Sequence, residues 1–169
     1  MRADRGDRIT FSEIQKMRQL WVWILVISIT ALAWYGFIVQ IILKTPFGGR
    51  PAPDSILVVF WLVFGLGLPV FICAVRLTVE VREDGIYFRF FPFHRTFRRI
   101  GFEEIRSCRV RQYHPIREYG GWGIRKGRSG RAYNMSGNLG VELALKNGKN
   151  LLLGSLRAEE LNRSIRESL

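Results

Sequence analysis

The side chains best suited to binding chemistry here are arginines and lysines, and two groups stand out. One is Arg95, Arg98 and Arg99; the other is Arg125, Lys126, Arg128 and Arg131. A guanidinium presents a planar fork of N–H donors that matches phosphate and carboxylate oxygens. Residues 76–169 hold nineteen Lys or Arg against ten Asp or Glu. That excess predicts contact with an anionic surface, either a lipid headgroup layer or a partner's acidic patch.

Catalytic arrangements are not predicted. His94 and His114 each stand beside a proline-containing turn, and no HExxH is present. Cys73 falls in an apolar run, so two Cys and two His make no zinc site. Glu103 and Glu104 are adjacent and project apart, which suits them poorly for acid–base work. Ser107, Ser129, Ser136 and Ser155 lack a nucleophile elbow. Gly121-Trp-Gly123-Ile-Arg-Lys-Gly127 is GxGxxxG, not the phosphate-binding GxGxxG, and reads as a loop between strands. We expect no enzyme activity, no metal and no cofactor.

These residues are positioned by two unlike halves. Leu20–Leu43 and Ser55–Val75 contain no Asp, Glu, Lys or Arg. A bilayer core of roughly 30 Å takes about 20 apolar helical residues to cross. Both runs therefore predict membrane spans. The first is too long for a signal-peptide core and lacks a small-x-small cleavage site. The eleven residues between them carry three prolines and two glycines, which stop helices and make a turn.

Arg2, Arg5, Arg8, Lys16 and Arg18 precede the first run, Arg76 and Arg82 follow the second, and the loop holds only Lys44 and Arg50. The positive-inside rule puts both termini in the cytoplasm. Trp21, Trp23 and Arg76 are the expected membrane-interface anchors. The expected organisation is a cytoplasmic leader at 1–19, read as an interfacial helix or an extension of the first span. It continues with spans at 20–43 and 55–76, an external loop at 44–54, and a cytoplasmic domain at 77–169.

After Arg76 the hydrophobic period becomes two. Leu77–Val81 and Ile86–Phe91 alternate around Glu83-Asp84-Gly85, a hairpin turn signal. Further strands are predicted at Arg95–Ile100, Ser107–Tyr113, Tyr119–Ile124, Arg131–Met135, Leu139–Leu145 and Leu151–Leu153. Asn147-Gly148 fits a type I′ turn. Ser155 is placed to cap a closing helix whose Leu161, Ile165 and Leu169 form one apolar stripe.

The Leu77–Phe91 hairpin, the Ile100–Val110 stretch and the closing Leu139–Ser168 hairpin and helix resemble a bacterial pleckstrin-homology-like domain. The whole chain is similar to uncharacterised small prokaryotic membrane proteins with two spans before such a domain. Gly120-Gly-Trp-Gly-Ile-Arg-Lys-Gly and Ala132-Tyr-Asn-Met-Ser-Gly137 carry that likeness. The resemblance implies a membrane helical hairpin plus a mainly-β domain, an antiparallel sheet or partly open barrel closed by a C-terminal helix. Phosphoinositide-binding members carry basic residues around the first hairpin turn. Here that turn is acidic, so the resemblance implies general anionic contact.

The expected role is a non-catalytic binding or scaffolding module at the cytoplasmic face. Its expected partners are membrane lipids, or an integral membrane protein; nucleic acid is not expected. The alternative is an accessory subunit of a larger membrane complex, with Trp61, Gly65 and Gly67 packing on other spans.

Overall fold

The computed structural model describes residues 8–46, 48–49, 51–127 and 130–169. The chain divides into two compact units, Arg18–Ala74 and a unit that joins Met1–Met17 to Val75–Leu169.

The first unit is a helical hairpin. Helices Leu20–Ile42 and Asp54–Ala74, with hydropathies of 2.2 and 2.7, are long and apolar enough to cross a membrane. Each changes to π-helical winding for part of its length, at Phe37–Ile42 and Trp61–Gly67. The second change is tied to Pro69, which has no N–H. That N–H would reach Gly65 O at α spacing or Phe64 O at π spacing. Both carbonyls are instead satisfied from the other helix. Trp34 Nε1–H donates to Gly65 O at 3.2 Å, and Thr30 Oγ1–H donates to Phe64 O at 3.2 Å. In hydrocarbon each backbone group must be paired within the protein.

Rings close around this joint. Trp61 stacks on Phe37 at 4.2 Å, and Trp34 meets Trp61 edge-on at 5.2 Å. A Cβ on Gly65 would come within 2.7 Å of Trp61 Cδ1, so glycine is what lets that ring lie along its own helix. Nearer the loop, buried Gln40 donates to Ala52 O at 2.7 Å and to Asp54 Oδ1 at 2.8 Å.

The second unit is mainly β. Nine strands form two sheets among the described residues, ordered β1-β2-β3-β4 and β5-β8-β9-β7-β6. The first comprises β1 Ile9–Lys16, β2 Arg76–Arg82, β3 Gly85–Phe91 and β4 Arg98–Gly101. The second comprises β5 Ile105–Gln112, β6 Gly123–Gly127, β7 Gly130–Asn134, β8 Leu139–Leu145 and β9 Asn150–Gly154. The two sheets do not close into a barrel. The expected all-antiparallel order also fails at one place, because β7 runs parallel to β9.

The C-terminal helix Ala158–Ser168 packs on β5 and β8 of one sheet and on β1 and β2 of the other. Its Leu161 and Ile165 are fully buried, whereas Leu169 lies beyond it and is exposed. The main core lies between the sheets and this helix. It is built on inward alternation of Leu77, Val79 and Val81 on β2, Ile86, Phe88 and Phe90 on β3, and Val141 and Leu143 on β8. A smaller cluster of Tyr113, Tyr119, Ala132 and Leu152 covers the opposite face of the second sheet.

The largest difference from expectation is the leader. It is neither an interfacial helix nor an extension of the span: Ile9–Lys16 is an edge strand, antiparallel to β2. Its inward positions are Phe11, Glu13 and Gln15, all buried. Two of the three are polar, which hides the alternation in the sequence. Their polarity has partners. Glu13 Oε2 accepts from Ser155 Oγ at 2.5 Å, and Glu13 Oε1 accepts from Leu156 N at 3.0 Å. Gln15 Nε2 donates to Gly154 O at 2.7 Å. The globular unit therefore begins in the leader and resumes at Val75, so Val75 and Arg76 belong to it and not to the second span.

Smaller corrections have local causes. Residues Pro115–Tyr119 form a short helix started by proline, which displaces the expected Tyr119–Ile124 strand to Gly123–Gly127. A type I′ turn needs positive φ at both central residues. At Asn147-Gly148 only Gly148 has it, at 78°. Ser155 is not the N-cap of the last helix; its Oγ serves Glu13 and accepts from Arg157 N.

Two outcomes follow. Glu13→Ala removes the acceptor of the buried Ser155 hydroxyl and of the part-buried Leu156 N–H, so it should lower stability by about 2 kcal/mol, read as thermal denaturation of the β unit in the full chain. Trp34→Phe leaves Gly65 O unpaired in an apolar setting and should cost the hairpin about 1 kcal/mol in detergent titration. Adding Pro69→Ala should recover most of that loss by restoring an N–H; no recovery would break the assignment.

Candidate functional site

The basic residues singled out by sequence do not share one face. On β6, Ile124 pairs with Tyr133, Arg125 with Ala132 and Lys126 with Arg131. Successive side chains on a strand point to opposite faces. Lys126 and Arg131 therefore share the Tyr133 face, while Arg125 lies on the other, where its Nε–H donates to Trp122 O at 3.0 Å. Arg128 lies outside the described residues. Lys126 and Arg131 are exposed.

Arg98 and Arg99 part company in the same way. Arg98, opposite Phe88, reaches Tyr133 Oη at 3.2 Å and links β4 to the second sheet. Arg99, opposite Tyr87, turns to the outside. Its Nε lies 2.8 Å from Asp84 Oδ2, and its Nη2–H donates to Asp84 O at 2.7 Å. Tyr87 Oη–H donates to the same carboxylate at 2.8 Å. The Tyr87 hydroxyl and the Arg99 guanidinium together hold the Asp84 carboxyl below its ordinary value. The Asp84 carboxylate of the acidic turn is thus paired from within. Arg95 is exposed, between β3 and β4.

The expected interface anchors differ in setting. Trp21 is exposed and Trp23 half-buried at the start of the first helix. Arg76 opens β2 and lies over the Phe91 ring, 5.3 Å from its centroid.

The glycine-rich block is structural. Tyr133, Asn134, Met135 and Ser136 are buried. Asn134 Oδ1 accepts from Gly123 N at 2.9 Å, and Trp122 Nε1–H donates to Gly137 O at 3.0 Å. The two halves of the motif hold each other. Gly127 has no room for a side chain, since a Cβ there would sit 2.6 Å from Glu118 O. Nearby, buried Glu142 is held by Arg109 and Arg111, and Arg111 also pairs with Glu118. These ion pairs brace the second sheet and the short helix. Burial pushes the Tyr113 phenol up to about 12, so it stays neutral in this cluster.

A different array of cations was missed in the sequence. The outer face of the first sheet carries Arg76 and Arg82 from β2 and Tyr87, Arg89 and Phe91 from β3. Phe97 folds over it. Arg82 lies 4.5 Å from the Tyr87 centroid and 5.7 Å from that of Phe97, and Arg89 lies 4.6 Å from Phe97. Cations favour the faces of aromatic rings. The signal was present as alternation, Arg76-x-Thr78-x-Glu80-x-Arg82 and Tyr87-x-Arg89-x-Phe91. These cations stand at alternate positions of separate strands, so no contiguous basic run marks them.

His94 packs 5.7 Å from the Tyr133 ring. Burial, then the nearby Arg98 charge, lower its pKa below the ordinary 6.5. The folded state therefore favours neutral His94. Its contribution is complete above pH 6.5 and is lost as pH falls through the lower folded value. Thermal midpoints of wild type and His94→Gln should differ in slope across that acidic window, with wild type losing more stability.

No curated protein matches this chain, and no solved structure does. The family described as "Family of unknown function (DUF6141)" matches over residues 2–169. From the leader strand to the closing helix, this chain belongs to that family.

Proposed function

We propose that this protein is a membrane-anchored, non-catalytic module whose β unit is held at the cytoplasmic face and contacts anionic lipid there. The observation that carries this reading is the pairing of β1 with β2. The two strands flank the apolar hairpin in sequence and hydrogen-bond from Ile9 opposite Arg82 to Lys16 opposite Arg76. Strands of one sheet share one side of a bilayer. The lysines and arginines beside the spans make that side the cytoplasmic one. Two covalent attachments make docking on the membrane intramolecular, so weak contacts suffice.

Two sheets packed with an amphipathic C-terminal helix support kinship with pleckstrin-homology-like domains, a superfold that hosts lipid and peptide binding alike. The subunit reading relied on Trp61, Gly65 and Gly67 facing other spans. Trp61 and Gly65 are engaged within the hairpin, which supports the autonomous anchored module, while Gly67 is exposed.

The test is hydrogen exchange of the full chain in nanodiscs of phosphatidylcholine, with and without phosphatidylglycerol. Protection of the β unit should rise with the anionic fraction and decline with added salt, which screens exposed charges. Equal protection in both lipids would overturn the proposal.

A further inference from the structure

On the outer face of the first sheet, three cations lie together across three strands. Lys16 on β1 stands directly opposite Arg76 on β2. Thr78, two residues on from Arg76, stands opposite Arg89 on β3. Arg76 and Arg89 are therefore diagonal neighbours, a separation of about 7–8 Å. The two carboxylates of this face are already taken, Glu80 by Arg82 and Asp84 by Arg99. Among the described residues, no carboxylate lies within ion-pair distance of Lys16, Arg76 or Arg89.

We infer that Lys16, Arg76 and Arg89 form a phosphate-binding cradle for the headgroup of an anionic phospholipid. This rests on the membrane-anchored reading above and names the site within it. Three features point to an anion. Like charges directly opposite on neighbouring strands repel, as Lys16 and Arg76 do here, and an anion between them relieves that cost. Arg76 and Arg89 each lie over a ring, Phe91 and Phe97, which fixes the guanidinium plane. A fixed plane loses less entropy when its N–H edge meets a phosphate. Finally, the Arg89 Nε–H is buried without an acceptor. A charged donor kept from water is costly until an acceptor reaches it.

Chain position selects the lipid over a free phosphate. Lys16 stands four residues before the first apolar helix and Arg76 two residues after the second. A lipid headgroup is therefore at high local concentration beside both. Exposed Ile14, on the same face, adds an apolar contact that a soluble phosphate would not use.

The test is native mass spectrometry of the detergent-solubilised full chain, titrated with phosphatidylglycerol, phosphatidylcholine or inorganic phosphate. Wild type should prefer phosphatidylglycerol. Arg76→Gln with Arg89→Gln should weaken its binding about tenfold or more, the scale of a lost charge-assisted hydrogen bond. Arg89→Lys keeps charge but loses the planar fork, and should weaken binding severalfold with the thermal midpoint unchanged. Lys126→Gln with Arg131→Gln should leave phosphatidylglycerol binding intact. If that control pair abolishes binding and the Arg76/Arg89 pair does not, the cradle is overturned while the membrane reading stands. Equal wild-type affinity for both lipids would overturn both. Full displacement of phosphatidylglycerol by inorganic phosphate would overturn the assignment to lipid.

Discussion

The pairing of β1 with β2 is the constraint on which the rest depends. These strands are separated in sequence by the whole apolar hairpin, yet they exchange backbone hydrogen bonds along nearly their full length. Strand pairing between residues so far apart carries a loop-closure cost that grows only slowly with length. Here the hairpin's own helix contacts bring the two ends of the insertion together. The buried Glu13 and Gln15 then tie β1 to the start of the C-terminal region through Ser155, Leu156 and Gly154. The first strand, the sheet beside it and the last helix thus form one packed body, and in sequence the apolar helices are inserted between its first two strands.

The same economy governs the hairpin. Proline at position 69 withholds one helical N–H from this joint, and Thr30 and Trp34 supply donors to Phe64 O and Gly65 O from the neighbouring helix. A local defect becomes the point of interhelical attachment. Ring stacking of Trp61 on Phe37 adds directional contact between two helices that otherwise present plain apolar surface. Such contacts matter more in a membrane, where apolar burial between helices has no aqueous alternative to work against.

Charge is arranged with similar selectivity. Acidic residues are mostly spent internally: Glu13 on the closing turn, Glu142 and Glu118 on the second sheet, Asp84 on its hairpin turn. Of the arginines without a carboxylate partner, Arg76 and Arg89 lie on the outer face of the first sheet, over the Phe91 and Phe97 rings. An arginine stacked on a ring is held in orientation without being neutralised.

The sequence by itself determined the two apolar helices, because length and the absence of charge are local properties that a bilayer-scale criterion can read. It likewise determined the Leu77–Phe91 hairpin and the closing amphipathic helix, whose buried faces are apolar at a regular period. Only the tertiary structure decided that the leader is a strand, because its inward positions are polar and find partners more than 130 residues away. Only the tertiary structure divided the arginine runs, since strand pleating sends adjacent residues to opposite faces and assembles a cationic surface from residues far apart in the chain. Neighbours along the sequence proved to be poor neighbours in space, because a strand's side chains alternate while its cross-strand partners lie side by side.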